Sequence, residues 1–190
     1  MKKLTFAVAS LLLGGLSTSG TAQFTSAKSD FVKAIHARDG NRLMQLLDSN
    51  PPGLVDARDG DGNTPLIITI ARQDEWAAFL LNRNADPNLP GKGGDTPLIA
   101  AARVGYLDAV EWLLTAGAKV DTPNRMGETP LIVAVQQRQA LAVKRLLAAG
   151  ANPDKADSAA GLSARDYAER DSRSRQILQL IEAKKAKPTR

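Results

Sequence analysis

The chain has 190 residues, 43% of them apolar and 24% charged, which excludes disorder throughout and leaves room for one domain with short appendages. It contains no Cys, so disulfides, thiolate catalysis, thiolate metal sites and a lipid-bearing Cys are all excluded. The net charge of +5 is uneven: with Lys2, Lys3, Lys184, Lys185, Lys187 and Arg190 set aside, the 25 basic residues fall to near parity with the 20 acidic ones, so no basic face for nucleic acid is expected.

Residues 1–22 have the layout of a secretory signal peptide. Lys2 and Lys3 precede an apolar run from Leu4 to Leu16, and Gly20 and Ala22 are the small residues that a cleavage after Ala22 requires. An uncleaved anchor is the alternative, but the run falls short of the ~20 apolar residues of a spanning helix. No other segment is long and apolar enough to cross a membrane, so the mature chain is expected without a transmembrane segment. The short Lys-Lys start and the Gly14-Gly15 pair have a bacterial character, which places the mature chain in the periplasm or outside the cell.

A helix pair follows within 28–58, over Ser29–Ala37 and around Leu43, Leu46 and Leu47. The phrase Thr-Pro-Leu-Ile then begins at Thr64, Thr96 and Thr129, at intervals of 32 and 33 residues. A degenerate copy, Gly161-Leu162-Ser163-Ala164, puts Ser163 34 residues further on. Thr can cap a helix through its hydroxyl, and Pro at the first helical position forfeits only an N–H that had no partner. Gly62, Gly94, Gly127 and Gly161 lie two residues ahead of each hydroxyl, where a tight turn must feed the helix.

A second helix is predicted in each unit from apolar triples at helical spacing: Ala77-Leu80-Leu81, Val110-Leu113-Leu114, Val143-Leu146-Leu147 and Ile177-Leu180-Ile181. Asn84, Gly117 and Gly150 follow three of these as residues able to take a left-handed conformation. The unit begun at Thr64 is one residue short, so a tighter inter-helix turn is expected around Arg72-Gln73-Asp74; the loop Lys155–Ala160 is one residue long.

On these motifs the chain resembles the ankyrin-repeat family. Val55–Leu66 is similar to the family's hairpin and helix start, Gly117–Asp121 to its helix-to-finger exit, and the resemblance covers about 155 residues, from Lys28 to Ala183. It implies an all-α repeat solenoid, a helix-turn-helix stack with β-hairpin or loop fingers and about five repeats including degenerate caps. Those repeats would be an N-terminal cap over 28–58, repeats over 59–90, 91–123 and 124–157, a C-terminal cap over 158–183, and a basic disordered tail over 184–190. Two departures stand out. The family's usual His is Ile67, Ile99 and Ile132 here, and its mid-helix Ala is Thr69 in the first full copy.

Three features suggest chemistry and fail on spacing. His36 stands alone, with no metal or catalytic partners identifiable in the sequence. Asp59–Asn63 looks like the start of a calcium loop, but the loop's first and twelfth positions would be Ala57 and Ile68, neither an oxygen ligand through its side chain. Gly91–Thr96 lacks the spacing of a phosphate loop. Trp76 and Trp112 sit at helical spacing and are read as packing residues, with an exposed contact role left open for Trp76. The basic tail is read as a solvated end, with a membrane or partner contact left open.

The resemblance implies binding to a protein partner through fingers and first helices, with no cofactor and no metal. By repeat phase the finger positions are Arg58, Asp61, Asn63, Lys92, Asp95, Arg125, Met126 and Glu128. The first-helix ends add Arg72, Arg103, Val104, Gln136 and Gln137. The expectation is a monomeric, non-catalytic interaction module that stabilises, protects or inhibits a partner. The rival is a small exported enzyme or enzyme subunit using an unrecognised site on the stack.

Overall fold

The computed structural model describes residues 18–49 and 53–185. Five helix pairs follow one another: α1 (Thr18–Ala37) with α2 (Gly40–Ser49), α3 (Pro65–Ala71) with α4 (Trp76–Asn82), α5 (Pro97–Val104) with α6 (Leu107–Thr115), α7 (Pro130–Gln136) with α8 (Ala140–Ala148), and α9 (Ala164–Arg170) with α10 (Arg175–Lys185). The chain is an all-helical repeat solenoid. First helices stack in the order α1, α3, α5, α7, α9, and α4, α6, α8 and α10 stack as a second layer.

The repeated phrase acts at the atomic level as its chemistry predicts. Thr64, Thr96 and Thr129 accept a hydrogen bond from the amides of Ile67, Ile99 and Ile132 at 3.3, 3.2 and 3.2 Å, with Pro in the first turn of each helix. Ser163 does the same for Asp166, whose carboxylate accepts in return from the Ser163 amide, closing a capping box. All four hydroxyl residues are buried, so each cap also removes an otherwise unpartnered N–H from the interior.

Small and aliphatic side chains fill the space between layers. Leu66, Leu98 and Leu131 are at most 1% exposed, as are Leu80, Leu113 and Leu146 of the second layer. Asn84, Gly117 and Gly150 take positive φ at the helix exits, as expected. Past each exit, a polar side chain receives the amide of the next unit: Asp86 N donates to Asp56, Lys119 N to Asn88 and Asn152 N to Asp121, at 2.8–3.2 Å. This ladder ties neighbouring units together, so each unit depends on its neighbours for satisfied backbone.

Of the β-hairpin or loop fingers expected, the loop form is present: hydrogen-bonded turns without β-strands among the described residues, where a single bridge pairs Ala156 with Ser163. Two other expectations are corrected. The missing residue of the short unit does not tighten the turn. Gln73 takes the same left-handed φ, nine residues after its Thr, as Gly105 and Arg138, and the loss falls on the second helix, seven residues in α4 against nine in α6 and α8. The first helix begins at Thr18 rather than near Ser29, passing through the expected cleavage point. The leader up to Ser17 and the tail beyond Lys185 lie outside the described residues; the tail's first two residues, from 184, continue α10.

Candidate functional site

Each finger is pinned by an acceptor that recurs in phase. Asp59 Oδ1 accepts from the amides of Asp61 and Asn63 at 2.9 and 2.8 Å. Asn124 Oδ1 accepts from Met126 and Glu128, both at 3.0 Å. Asp157 Oδ1 accepts from Ala159, Ala160 and Gly161 at 3.1, 2.7 and 3.0 Å, one bond more to hold the longer loop. The finger between has Gly91 at this phase, because a Cβ there would stand 2.8 Å from Asn63 Oδ1 and from Ile67 Cδ1. Its Lys92 amide donates instead to Asn63 Oδ1 at 3.0 Å.

Adjacent fingers are joined through backbone atoms. Arg58 Nη1 bridges Gly62 O and Pro90 O at 2.6 Å each, Arg125 N donates to Gly93 O at 3.0 Å, and Ser158 N donates to Met126 O at 2.9 Å. The finger row therefore holds its side chains on a fixed backbone, as a binding surface needs.

Between the first two full fingers and helices α3 and α5 lies an open hollow of about 470 Å³. Seven sequence-selected residues line it: Asp61, Asn63, Arg72, Lys92, Asp95, Arg103 and Val104. Ile67, Ile68, Ala71 and Ala100 supply its apolar lining, and His36 and Asp59 complete the rim. It opens here because the residue seven past the capping Thr is Ala71, where the next two repeats carry Arg103 and Gln136.

Most charge on this rim is already paired. Arg103 Nη2 meets Asp95 Oδ2 at 2.7 Å, and Asn124 Nδ2 donates to the other oxygen at 2.9 Å. Lys92 Nζ reaches Asp61 Oδ1 at 3.4 Å. Exposed pairs of this kind contribute only ~0–1 kcal/mol each, so their main effect here is to orient the side chains. Arg72 donates to Ile35 O and His36 O at 3.2 and 3.3 Å and lies 3.0 Å from His36 Nδ1, while His36 Nε2 faces Asp59 Oδ2 at 3.6 Å. The lone histidine thus has two neighbours that the sequence could not reveal.

A second hollow of about 730 Å³ adjoins at Arg72 and is lined also by Arg38, Gln73, Asp74, Glu75, Trp76 and Phe79. Trp76 packs edge-on to Phe79 at 5.0 Å and covers Gly40, where a Cβ would come within 2.5 Å of the indole. One side of the indole thus locks α2 to α4, as the packing reading expects, and another borders the hollow. Trp112 packs edge-on to Tyr106 at 5.6 Å.

The remaining selected residues divide. Arg58, Arg125, Met126 and Gln137 are exposed but outside the first hollow, Met126 at 51%. Gln136 is half-buried and lies beside the Tyr167 hydroxyl of α9. Glu128 is a correction. It is 8% exposed, and its Oε2 accepts from Asn124 Nδ2 at 2.8 Å inside the finger rather than presenting outward. Asn124, in repeat phase with Asp59, is the partner that turns it inward.

Burial alone would raise Asp157; the Tyr167 hydroxyl at 2.7 Å and the amides of Ala160, Gly161 and Leu162 outweigh it, holding the carboxyl below its usual range. Asp56, desolvated by burial, is raised despite the Asp86 amide. Among the described residues, no group of three or more His, Asp or Glu is arranged to hold a metal ion, and no helix is long and apolar enough to cross a membrane.

Comparison with known proteins agrees with this architecture. Ankyrin repeat domain-containing protein 63 of Mus musculus is 30% identical over 89 residues, covering 44% of this chain and 23% of the mouse protein. The Homo sapiens protein of the same name matches with the same identity and coverage. The aligned stretch is thus less than a quarter of the length of these relatives. A family model described as ankyrin repeats (3 copies) matches residues 23–124 and 79–157, more than half of the chain. With capped first helices, left-handed exits and in-phase fingers all in place, the chain belongs to the ankyrin-repeat family.

Proposed function

We propose that this chain is a non-catalytic protein-interaction module of the bacterial periplasm that binds one partner protein across its fingers and first helices. Binding there stabilises, protects or inhibits the partner. The observation that carries this reading is the hollow between fingers and first helices, lined by seven of the finger and first-helix positions that the ankyrin resemblance implies. A fixed backbone with an apolar floor and a polar rim is the anatomy of a protein-docking surface. The periplasmic assignment is supported by Lys2–Lys3, the apolar run to Leu16 and the small residues before Gln23.

The test expresses the full chain with a C-terminal tag in a bacterial host. Exported protein beginning at Gln23 is expected, and an uncleaved chain confined to the cytoplasm overturns the localisation. Cross-linked capture from the periplasm should recover one stoichiometric protein. The double variant Arg72→Glu, Arg125→Glu should lose it while still melting cooperatively, at a temperature lowered by the loss of the Arg72 bonds to Ile35 O and His36 O. Capture that survives both substitutions moves the binding surface away from the fingers and first helices.

A further inference from the structure

The charges around the first hollow are unequally satisfied. Asp59 is engaged by two amides and faces His36, Asp61 by Lys92, and Asp95 by both Arg103 and Asn124. Arg72 is the exception: among the described residues it meets two carbonyls and a ring nitrogen, and no carboxylate. Its side chain lines both hollows, so this cation stands at their junction. Two carbonyls leave part of the five-donor fork free, and a carboxylate is its natural complement.

Beside that cation the floor is apolar. Ile67, Ile68 and Ala100 are each 7% exposed, and Ala71 is open to solvent. A guanidinium lacking an anion next to an apolar recess requires two features of its ligand: a carboxylate, and an apolar side chain close to it.

We infer that the trough over α3 and α5 recognises an extended acidic segment of the partner protein. One carboxylate sits on Arg72 and a neighbouring aliphatic side chain enters the recess formed by Ile67, Ala71 and Ala100. This rests on the interaction reading above and adds the chemistry of the partner. A basic segment is disfavoured, because every acid lining the trough is already committed and Arg72 would repel it. That argument also excludes this chain's own Lys-rich tail as the occupant.

The experiment uses the full exported chain and three fluorescein-labelled heptapeptides that alternate leucine with glutamate, glutamine or lysine, read by fluorescence polarisation. The glutamate peptide should bind and weaken as salt is raised. The glutamine peptide should bind at least about tenfold more weakly, and the lysine peptide should not bind. Arg72→Gln should reduce the glutamate peptide to the glutamine peptide's level, with Arg72→Lys intermediate because it keeps charge without the fork. Arg145→Gln, which breaks a pair with Glu111 between α6 and α8, should change nothing. Ala71→Phe, at an exposed position, should fill the recess and weaken binding of both the glutamate and the glutamine peptide.

No binding of the glutamate peptide, equal binding of the lysine peptide, or an indifferent Arg72→Gln overturns the inference. So does concentration-dependent dimerisation abolished by Ala71→Phe, which assigns the trough to a second copy. The two readings fail separately. Glutamine and glutamate peptides that bind equally, both lost in Ala71→Phe, remove the acidic specificity and keep the docking surface. A partner still captured by Ala71→Phe removes the surface itself.

Discussion

Ala71, Arg103 and Gln136 occupy one repeat phase and meet three different fates. At Ala71 the small side chain leaves a hollow in which Arg72 has no anion. At Arg103 the guanidinium turns onto Asp95, and at Gln136 a half-buried amide lies beside Tyr167, whose hydroxyl donates to Asp157. The paired Arg103 and Asp95 rim the trough together with the anion-free Arg72, whereas beyond them Tyr167 and Asp157 pair with each other. The same Thr-Pro capping opens α3, α5 and α7, so the scaffold does not decide where the surface is open; the residue seven past the capping Thr differs between them.

The fingers show the same contrast, and substitution of their glycines should separate the two halves most sharply. Gly62 and Gly127 share a phase and a left-handed φ, 88° and 80°. A Cβ on Gly62 meets nothing within 4 Å, whereas one on Gly127 overlaps the backbone nitrogen of Ser158, which must hold its bond to Met126 O. Gly62→Ala should therefore cost only the left-handed penalty of ~1–2 kcal/mol. Gly127→Ala should cost roughly 3 kcal/mol or more, since backbone must move and an inter-finger hydrogen bond is lost. Urea denaturation of both variants decides it, and equal midpoints would show that the finger row does not couple repeats four and five.

The next largest effect lies toward the C-terminal end and depends on pH. Asp157 is 6% exposed and held below its ordinary titration range by Tyr167 and the loop amides. A carboxyl depressed in the folded state stabilises fully above its unfolded value of about 3.9, and that contribution is lost as pH falls through the folded value. Asp157→Asn should cost about 1–3 kcal/mol at neutral pH. The gap to wild type should hold from pH 8 to about pH 5 and shrink below about pH 4. Thermal melts of the pair at matched pH test this, because the other depressed carboxyls, Asp166 and Asp171, are common to both chains. A gap that persists undiminished at pH 3 would mean that the asparagine fails for steric reasons rather than for lack of charge.

What the sequence revealed and what it hid follow from the range of the forces involved. Capping by Thr64, Thr96 and Thr129 and the left-handed exits at Asn84, Gly117 and Gly150 are set within a few residues, and these were readable. Glu128 misled because its charge suggests solvent, while its partner Asn124 lies four residues back and turns the carboxylate inward. The pairing of His36 with Asp59 and Arg72 joins the first helix pair to the next finger and helix, so no local pattern announced it. The repeat spacing assigns the one-residue deletion to its unit but not to a place within it. The turn after α3 is held by Gln73 N and Asp74 N on Ile70 O and Thr69 O, bonds that leave no slack, and the shorter second helix absorbs the loss.

The smallest expected effect concerns the residue that departs most plainly from its neighbours. Thr69 is buried mid-helix where Ala101 and Ala134 stand, and its hydroxyl accounts for itself by donating to Pro65 O and Leu66 O at 3.0 Å. Thr69→Ala removes the polar atom together with its need for a partner, since both carbonyls belong to the helix's own first turn. It gains helix propensity of roughly 0.5 kcal/mol and gives up a similar amount of methyl packing. Stability should therefore move by less than about 0.5 kcal/mol, and peptide binding in the trough should be unchanged. Thr69→Val keeps the volume but loses the bond to the turn, and should differ little from Ala for the same reason. A loss above about 2 kcal/mol in either variant would show that the hydroxyl helps to set the tilt of α3 against α5. The openness of the trough would then depend on Thr69 as well as on Ala71.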